Sequence, residues 1–592
     1  MAVRGAGAQV GGPGHDLGTW GPSRATGGVL VATVALVAFA LCRVRLGADL
    51  GDGTHVVALA MRMGQGDQVF VDEMNLQALG SLAAVPFTWF WLELVGVEGV
   101  VLASRVFYVA LGLGVGAVAY RALRTRLSQA VAFTAVVLML LPTPYNLLVT
   151  SYNTMPVLML GLAACAGFAA VTTRSPQWGA CSGVALAVAV LSHPVSLPAA
   201  VVLGLTVLVL ARRGPAVTGL LVGGGLASAL VVTVLLLGPG PGALLETVRY
   251  TTDYQAERPE PFARAARSVQ RYLFGALEVR HLPTLVLVAL ALVPGLTWRW
   301  RVVPALAVPV SLALTSWLVA PAESVGGEPF GLYSGAFALL LLTFLAGPVG
   351  VWALGQDGDR DLRLLLVLTA PTALLGLLAF AMTTSASIRW GAPVPPALPL
   401  FGAVGAGLVL WAGRHGTRVL AVVGAVALVG SLLSVHPLRS FRDGTPGTME
   451  GPITAGPLAG LHTREEQLEQ DTELRNLVQT WVGPQDGVFF YGIPGGYAYS
   501  TAAMQTNLIW IGSFGEANER TVRWWEETGR RPDVVLVGAA PVRAAGGWSE
   551  LAATDPVIAH LDEHYELIVE PTGEEGDVLV LVSGEAPAAG GR

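Results

Sequence analysis

Five acidic residues lie within 25 positions of one another near the start of the chain, at Asp49, Asp52, Asp67, Asp72 and Glu73. A carboxylate that faces a cavity at the membrane can act as a general base toward a hydroxyl or an amine, and two or three together can hold a divalent cation. Acids that only cover an outer loop would give the same pattern, so the charges alone leave both interpretations open.

Two histidines could belong to the same site. His55 follows Asp52 by three residues, on the same face if the segment is helical, where it could tune the carboxylate. His193 interrupts an apolar stretch at a predicted outer turn, where it could line a cavity or only mark a loop.

The elements that must position these residues are membrane helices. Only 13% of the 592 residues are charged, 53% are hydrophobic, and the mean hydropathy is +0.60. Apolar runs long enough to cross about 30 Å of hydrocarbon predict about thirteen spans. They lie near 28–46, 98–120, 128–143, 146–172, 177–192, 195–211, 216–238, 283–297, 302–320, 331–353, 364–382, 395–412 and 417–435.

The arginines predict the orientation of these spans, because short cytoplasmic loops are enriched in positive charge. With residues 1–27 as a cytoplasmic lead, every second loop contains arginine, and the odd number of spans places the C terminus outside. The chain then divides into a membrane domain at 28–436 and a final outer segment at 437–592. The membrane domain contains two long outer loops, at 47–97 and 239–282. The apolar stretch Leu79 to Leu94 is expected to lie along the membrane face.

The final segment differs in composition from the rest of the chain. Strand-like runs GVFFYGI, DVVLVG, YELIVE and DVLVLV alternate with helix-like stretches such as REEQLEQDTELRNLVQTWV. We therefore expect a polytopic α-helical membrane protein with a small extracytoplasmic α/β domain at 437–592.

Composition also excludes several classes of protein. All 35 basic residues are arginine, so Walker A loops and Schiff-base lysines are ruled out. A net charge of −6, without a basic stretch that contains aromatics, argues against nucleic acid as a partner. Cys42, Cys165 and Cys181 lie in apolar runs without CxxC spacing, which indicates neither a disulfide framework nor a zinc cage.

Two literal motifs are interpreted as structural. His560 to His564 matches H-x-x-E-H, but it runs at once into the strand YELIVE, whereas a zinc protease needs a long helix and a third ligand. The glycine run 112–116 lies inside a span, where it predicts close helix packing rather than nucleotide binding.

The first outer loop resembles that of the GT-C glycosyltransferases, polytopic enzymes that take sugar from a polyprenyl-phosphate carrier. The matching residues are Asp52, Ala60-Met61-Arg62, Gly66-Asp67 and Asp72. Weaker similarities are Arg105, Tyr152-Asn153-Thr154 and the segment GVFFYGIPGGYAYST. The loop departs from the family where Gly53 replaces a second acid and Asn75-Leu76-Gln77 replaces Pro-Pro.

The resemblance implies an inverting transfer to a glycan or another cell-envelope acceptor. Asp52 would be the general base, with Asp49 or Asp72 as alternatives. Outer arginines would stabilise the departing lipid phosphate, chosen here as Arg62, Arg389 and Arg45. The cavity would be lined by His55, Glu73, Tyr152, Asn153, His193 and Trp390. No cofactor is certain, and a divalent metal at Asp72 and Glu73 is possible.

Two other classes of function stay open. A transporter or lipid flippase could have the same number of spans, although such proteins carry ionisable sites or broken helices at mid-membrane. A non-catalytic envelope scaffold could carry the same outer domain. The absence of lysine suggests a GC-rich, actinobacterial-like genome, and the expected location is the plasma membrane.

Overall fold

The structure is a computed structural model that describes part of the chain. This part covers 22–72, 76–140, 147–212, 214–256, 260–267, 282–293, 360–383, 446–449, 451–504, 516–569, 578–583 and the single residues 143, 270, 403, 407 and 443. The predicted spans 302–320 and 331–353 lie outside it, as do 417–435 and nearly all of 395–412.

The described chain is mostly helical before residue 384. The helices are α1 Pro22–Arg43, α2 Asp52–Gly64, α3 Val85–Val95, α4 Val100–Leu123, α5 Gln129–Leu140, α6 Met155–Thr173, α7 Pro176–Ser192, α8 Leu197–Ala211, α9 Pro215–Leu237, α10 Gly240–Ala256, α11 Leu282–Leu292 and α12 Arg360–Thr383. A 3-10 helix, Leu76–Ala84, precedes α3.

Six stretches among the described residues are long and apolar enough to cross a membrane. They are Ala78–Val95, Val100–Leu123, Met155–Thr173, Pro194–Ala211, Pro215–Leu237 and Arg360–Met382. The protein is therefore a multi-pass membrane protein. The first of them covers the stretch that the sequence placed along the membrane face, and its length and hydropathy equally suit a span.

The predicted span 146–172 begins later than expected, at Met155. Residues 147–154 instead form a loop, because Thr154 Oγ1 donates to the carbonyl of Val149 at 2.5 Å and accepts from the backbone N–H of Ser151 at 2.9 Å. These side-chain hydrogen bonds satisfy backbone groups that a helix would otherwise pair.

Helices α7 and α9 pack against each other through glycines spaced four residues apart. A Cβ on Gly179 would lie 2.1 Å from the carbonyl oxygen of Ala216, and one on Gly183 would lie 2.2 Å from that of Leu220. From the other side, Cβ atoms on Gly219 and Gly223 would meet α7 carbonyls at 2.0 and 2.4 Å. Glycine at these four positions lets the two backbones touch, as in small-xxx-small membrane interfaces.

The glycine run of α4 behaves differently, and the expectation of close helix packing there is wrong. A Cβ on Gly112 or on Gly114 would meet no atom within 4 Å. On Gly116 it would meet only side-chain carbons of α5, at 3.5 and 3.6 Å. Among the residues that the structure describes, no neighbouring backbone approaches these three glycines closely.

The C-terminal unit contains a five-stranded sheet in the order β4-β3-β5-β7-β6. The elements of the C-terminal unit as a whole are β1 Gly451–Pro452, β2 His462–Thr463, α13 Glu465–Trp481, β3 Gly487–Tyr491, β4 Ala503–Met504, α14 Glu516–Thr528, β5 Val534–Gly538, α15 Ala539–Ala545, α16 Trp548–Ala552, α17 Pro556–His564, β6 Tyr565–Val569 and β7 Val578–Ser583. The four longer strands fall on the four predicted runs, and β7 extends one residue beyond its run, to Ser583. β3 is parallel to β4 and β5, whereas β7 is antiparallel to β5 and β6.

Alternate residues of the central strands face two different layers, as the two-residue period of a strand requires. Phe489 and Val535 pack on one side with Trp525 of α14 and Ile558 of α17. The residues of β3 and β5 that face the opposite side of the sheet share a core with Leu474 and Val478 of α13. The same core includes Val56, Val57 and Met61 of α2. The sheet and the first loop of the membrane domain thus form one hydrophobic core.

A second contact joins the end of α1 to the C-terminal unit. The backbone N–H of Gly47 donates to the carbonyl of His462 at 2.8 Å, and that of His462 donates to the carbonyl of Arg45 at 2.7 Å. The buried carboxylate of Asp443 accepts from the N–H of Ala48 at 2.8 Å and from Thr463 Oγ1 at 2.6 Å. These bonds tie the backbone just before α2 to the C-terminal unit.

We expect Gly223→Ala to lower the stability of the folded protein by about 1–3 kcal/mol, because the added methyl overlaps the carbonyl of Ala180. The matched control is Gly225→Ala in the same helix, where a Cβ meets nothing within 4 Å. Thermal unfolding of the detergent-purified variants checks this. Equal melting temperatures for the two variants would contradict the packing argument.

Candidate functional site

The predicted acidic cluster centres on helix α2, which is buried at ten consecutive residues from Gly53 to Arg62. Two polar side chains fix its sides: Ser81 Oγ donates to the carbonyl of Val56, and Thr88 Oγ1 to that of Ala60, both at 2.9 Å. An element held so completely can present a side chain at its end in a fixed position.

Asp49 holds the start of α2. Its carboxylate accepts from the backbone N–H of Gly51 at 2.9 Å and of Gly53 at 2.6 Å, and so satisfies donors that the first helical turn leaves without partners. Asp49 is 5% exposed. Asp49 therefore helps to position its neighbour Asp52 and does not face a cavity in this structure.

Asp52 begins α2 and is half-buried, directly before the buried stretch. His55, one turn on, is 2% exposed, and its Nδ1 lies 3.4 Å from the carbonyl oxygen of Pro494. Since a carbonyl only accepts, this contact favours the neutral tautomer with the proton on Nδ1. Burial lowers the pKa of His55 to about 4, so the ring is neutral at pH 7.

The narrow space around Gly53 explains why this position does not carry the second acid of the GT-C pattern. A Cβ at this position would lie 3.1 Å from Asp49 Oδ2 and 3.2 Å from Leu147 Cδ1. A glutamate would force its stem into this narrow space and add a second negative charge beside the carboxylate of Asp49. The position thus suits glycine, and a single acid, Asp52, stands at the start of the helix.

A turn of the C-terminal unit, the 3-10 helix Pro494–Tyr499, covers the start of α2. The N–H of Gly495 donates to the carbonyl of Leu50 at 2.9 Å, and a Cβ on Gly495 would lie 2.0 Å from that oxygen. Tyr499 fixes the other end of the turn, since its hydroxyl donates to the buried carboxylate of Asp471 at 2.6 Å. Burial raises the pKa of Asp471. The sequence predicted none of these contacts, although the PGG of this segment is typical of close backbone approach.

Arg62, predicted to bind phosphate, is 3% exposed and fully engaged within the protein. It forms a two-pronged ion pair with Asp67, with Nε–Oδ2 and Nη2–Oδ1 distances of 2.7 and 3.0 Å. Its Nη1 donates to Gln65 Oε1 and to the carbonyl of Ala502. Burial raises the pKa of Asp67, and the Arg62 charge opposes that shift. Arg62 therefore joins α2 to the C-terminal unit here.

Asp72, predicted as an alternative base or metal ligand, pairs with Arg530, whose guanidinium also lies 5.9 Å from the ring centre of Trp524. The second carboxylate oxygen of Asp72 accepts from the backbone N–H of Gln68 at 2.7 Å. Glu73 lies outside the described residues. Within the described part of the chain, no three His, Cys, Asp or Glu side chains are grouped to hold a metal.

Tyr152 and His193, both predicted to line a cavity, lie together. Their rings meet edge-on with centroids 5.4 Å apart, and the ring centroid of Phe380 of α12 lies 5.2 Å from that of the imidazole. Tyr152 also packs against the core of α2, and Asn153 beside it is half-buried. The structure thus brings Tyr152 and His193 to the same side of the bundle as α2.

Of the two other arginines predicted to bind the donor phosphate, the structure describes Arg45. Arg45 is exposed at the end of α1, with its backbone carbonyl bonded to the N–H of His462. Arg389 and Trp390 lie outside the described residues.

The H-x-x-E-H string forms the end of α17, as the sequence indicates. His560 and His564 stack at 4.3 Å, and His564 Nδ1 lies 3.0 Å from the backbone carbonyl of His560. Strand β6 begins at the next residue, Tyr565.

No family model and no curated protein match the chain. Solved structures that match include ArnT from Cupriavidus metallidurans bound to undecaprenyl phosphate, at 15% identity and a TM-score of 0.41 over 95% of this chain and 98% of that one. The apo state of the same protein matches at 13% identity and a TM-score of 0.40, over 94% and 98%.

The buried neutral His55 predicts an acid-sensitive fold. Its folded-state pKa of about 4 lies below the ordinary 6.5, so the unfolded chain binds the proton more readily, and stability falls as the pH drops from 6.5 toward 4. The loss due to this residue reaches about 3 kcal/mol. His55→Gln should show a flatter decline of melting temperature over this pH range. Parallel declines in both proteins would show that His55 does not titrate in this way.

Proposed function

We propose that the protein transfers a sugar from a polyprenyl-phosphate donor to a cell-envelope acceptor on the outer face of the plasma membrane. The class of donor comes from the resemblance of the first loop to the GT-C glycosyltransferases. The observation that carries the proposal is the half-buried Asp52 carboxylate at the start of a helix whose next ten residues are buried.

In the proposed step, Asp52 accepts the proton of the acceptor hydroxyl as the acceptor oxygen attacks the anomeric carbon. The bond between that carbon and the phosphate oxygen breaks, and the configuration at the carbon inverts. The product is a glycosylated acceptor, and polyprenyl phosphate leaves with the bonding electrons. A positioned base of this kind contributes about 10²–10⁴-fold to the rate.

The structure supports Asp52 over the two other acids as the base. Asp49 is buried and bonds two backbone N–H groups, and Asp72 pairs with Arg530. His55 is neutral at pH 7, so it adds no positive charge that would lower the basicity of Asp52.

The leaving phosphate needs a cation, because it departs with negative charge. Arg45 is the described candidate that is exposed, whereas Arg62 is bound to Asp67 and Ala502. We propose Arg45, with Arg389 as a second cation, and Trp390, Tyr152 and His193 as residues that contact sugar or lipid.

The proposed orientation places both the first loop and the C-terminal unit outside the cell. The shared core of α2 and the sheet requires these two parts to lie on the same side of the membrane. That requirement agrees with an odd number of spans, and the arginine pattern indicates that this side is the outer one.

The test measures release of free polyprenyl phosphate from a panel of polyprenyl-phosphate sugars by the purified protein, with crude envelope extract as acceptor. Asp52→Asn should lower the acceptor-dependent turnover by about 10²–10⁴-fold, because the amide cannot accept the proton. Its melting temperature and membrane level should match those of the wild type.

Asp72→Asn is the matched control, since it removes an acid of the same loop that pairs with Arg530. It should keep most of the turnover. If Asp52→Asn stays active while Asp72→Asn loses turnover, the assignment of the base is wrong. If no donor in the panel reacts or binds, a transporter or a scaffold becomes the better hypothesis.

A further inference from the structure

Helix α3 has one apolar face that the described part of the protein leaves uncovered. The exposed residues of α3 are Pro86, Trp89, Phe90, Glu93, Leu94 and Val95. Their spacing of three and four residues places most of them on one side of the helix, and all but the glutamate are apolar. Trp89 and Phe90 are 52% and 56% exposed. Large apolar groups gathered on a surface mark contact with another molecule or with a membrane.

The segment that contains α3 is bound to the C-terminal unit at both of its ends. Before α3, Asp72 pairs with Arg530, four residues ahead of strand β5. After α3, the backbone N–H of Gly99 donates to the carbonyl of Gly456 at 2.9 Å, and Leu458 beside it packs in the core of the same sheet. The segment is long and apolar enough for a span. A single crossing, however, would place its ends on opposite sides of about 30 Å of hydrocarbon, which contacts with one C-terminal unit exclude.

Helix α3 also contacts α2 and its core along its length. Thr88 Oγ1 donates to the carbonyl of Ala60, and a Cβ on Gly64 would lie 3.2 Å from the backbone of Trp89. Farther along α3, Trp91 packs against the core that α2 shares with the sheet. A helix of eleven residues that pointed away from this core would leave it by about 16 Å. Helix α3 therefore lies along α2, and its exposed face is turned away from the C-terminal unit.

The start of α4 indicates the depth at which α3 lies. Val100, the first residue of α4, is buried in the core of the sheet, so this end of α4 stands above the hydrocarbon. Its 24 residues rise about 36 Å, which exceeds the hydrocarbon thickness by about 6 Å. Arg105 follows one turn later and donates to two backbone carbonyls just after α1, as suits the headgroup level. The ring of Phe87 in α3 stacks on that of Phe107 in α4 with centroids 4.7 Å apart, which places α3 at this level.

We propose that α3 is an interfacial helix that lies in the leaflet facing the C-terminal unit, with Trp89, Phe90 and Leu94 inserted among the acyl chains. The partner of the exposed face is the lipid surface of the same bilayer that α4 crosses. Tryptophan at the boundary between headgroups and chains is typical of such anchors. Because Thr88 bonds α2, the anchor also fixes the height of Asp52 above the lipid. The inference is independent of the proposed transferase activity.

The first test places the two ends of the segment relative to the membrane. In the full-length protein with its three native cysteines replaced by alanine, single cysteines are introduced as Gln68→Cys, Glu98→Cys and Ser128→Cys, all at exposed positions. A membrane-impermeant maleimide is added to intact spheroplasts and, separately, to permeabilised ones. The first two variants should react from the same side, and Ser128→Cys, beyond the far end of α4, from the opposite side. Reaction of Gln68→Cys and Glu98→Cys from opposite sides would make α3 a span and overturn the proposal.

The second test measures the depth of the exposed face with a nitroxide on Phe90→Cys, and independently on Trp89→Cys, in nanodiscs of phosphatidylglycerol and phosphatidylcholine that hold one chain each. Oxygen should relax both labels faster than a water-soluble nickel complex does, at a depth of about 5–10 Å. A label on the control Gln68→Cys should show the reverse order. Equal access of the nickel complex to residues 90 and 68 would overturn the proposal, as would a depth near the bilayer centre at about 15 Å. A face that is covered only when two chains share a disc would have a second copy as its partner, which also overturns it.

Discussion

The structure depends on a backbone contact between two segments that are distant in sequence, the N–H of Gly495 on the carbonyl of Leu50. This bond brings the turn Pro494–Tyr499 against the start of α2, so that the sheet and α2 close around one core. Only glycine permits this approach. Asp52 has a defined position because its helix is covered from both the membrane domain and the C-terminal unit. The proposed chemistry thus relies on the docking of a soluble-type sheet onto a loop of a membrane protein.

Much of the architecture could be predicted from the sequence, because the patterns that specify it are local. The run DVVLVG became the strand Val534–Gly538, and REEQLEQDTELRNLVQTWV became the helix Glu465–Trp481. Apolar runs likewise predicted most of the described membrane helices within a few residues. The loop 147–154 was missed because hydrophobicity suggested a span, whereas the hydroxyls of Ser151 and Thr154 pair with the local backbone.

The roles of individual charges could not be predicted, since each depends on partners far along the chain. Arg62 looked like a phosphate ligand, yet it bonds Asp67 and the carbonyl of Ala502, 440 residues away. Asp49 looked like a second base, and it holds the first turn of α2. Asp443, which no motif marks, connects the end of α1 to β2. Residue type and spacing indicated where the acids lie, and tertiary contacts decide which groups each of them bonds.

The separation of Arg62 from Ala502 has a consequence for biosynthesis. At about 5–20 residues per second, the ribosome needs about 20–90 s to make the 440 residues between these partners. During that interval the apolar residues of α2 have no sheet to cover them, and the Arg62 guanidinium lacks one of its acceptors. The core around helix α2 is completed only after the C-terminal sheet has been made. A chain truncated before its last 100 residues or so would therefore insert its helices and still lack a formed site at Asp52.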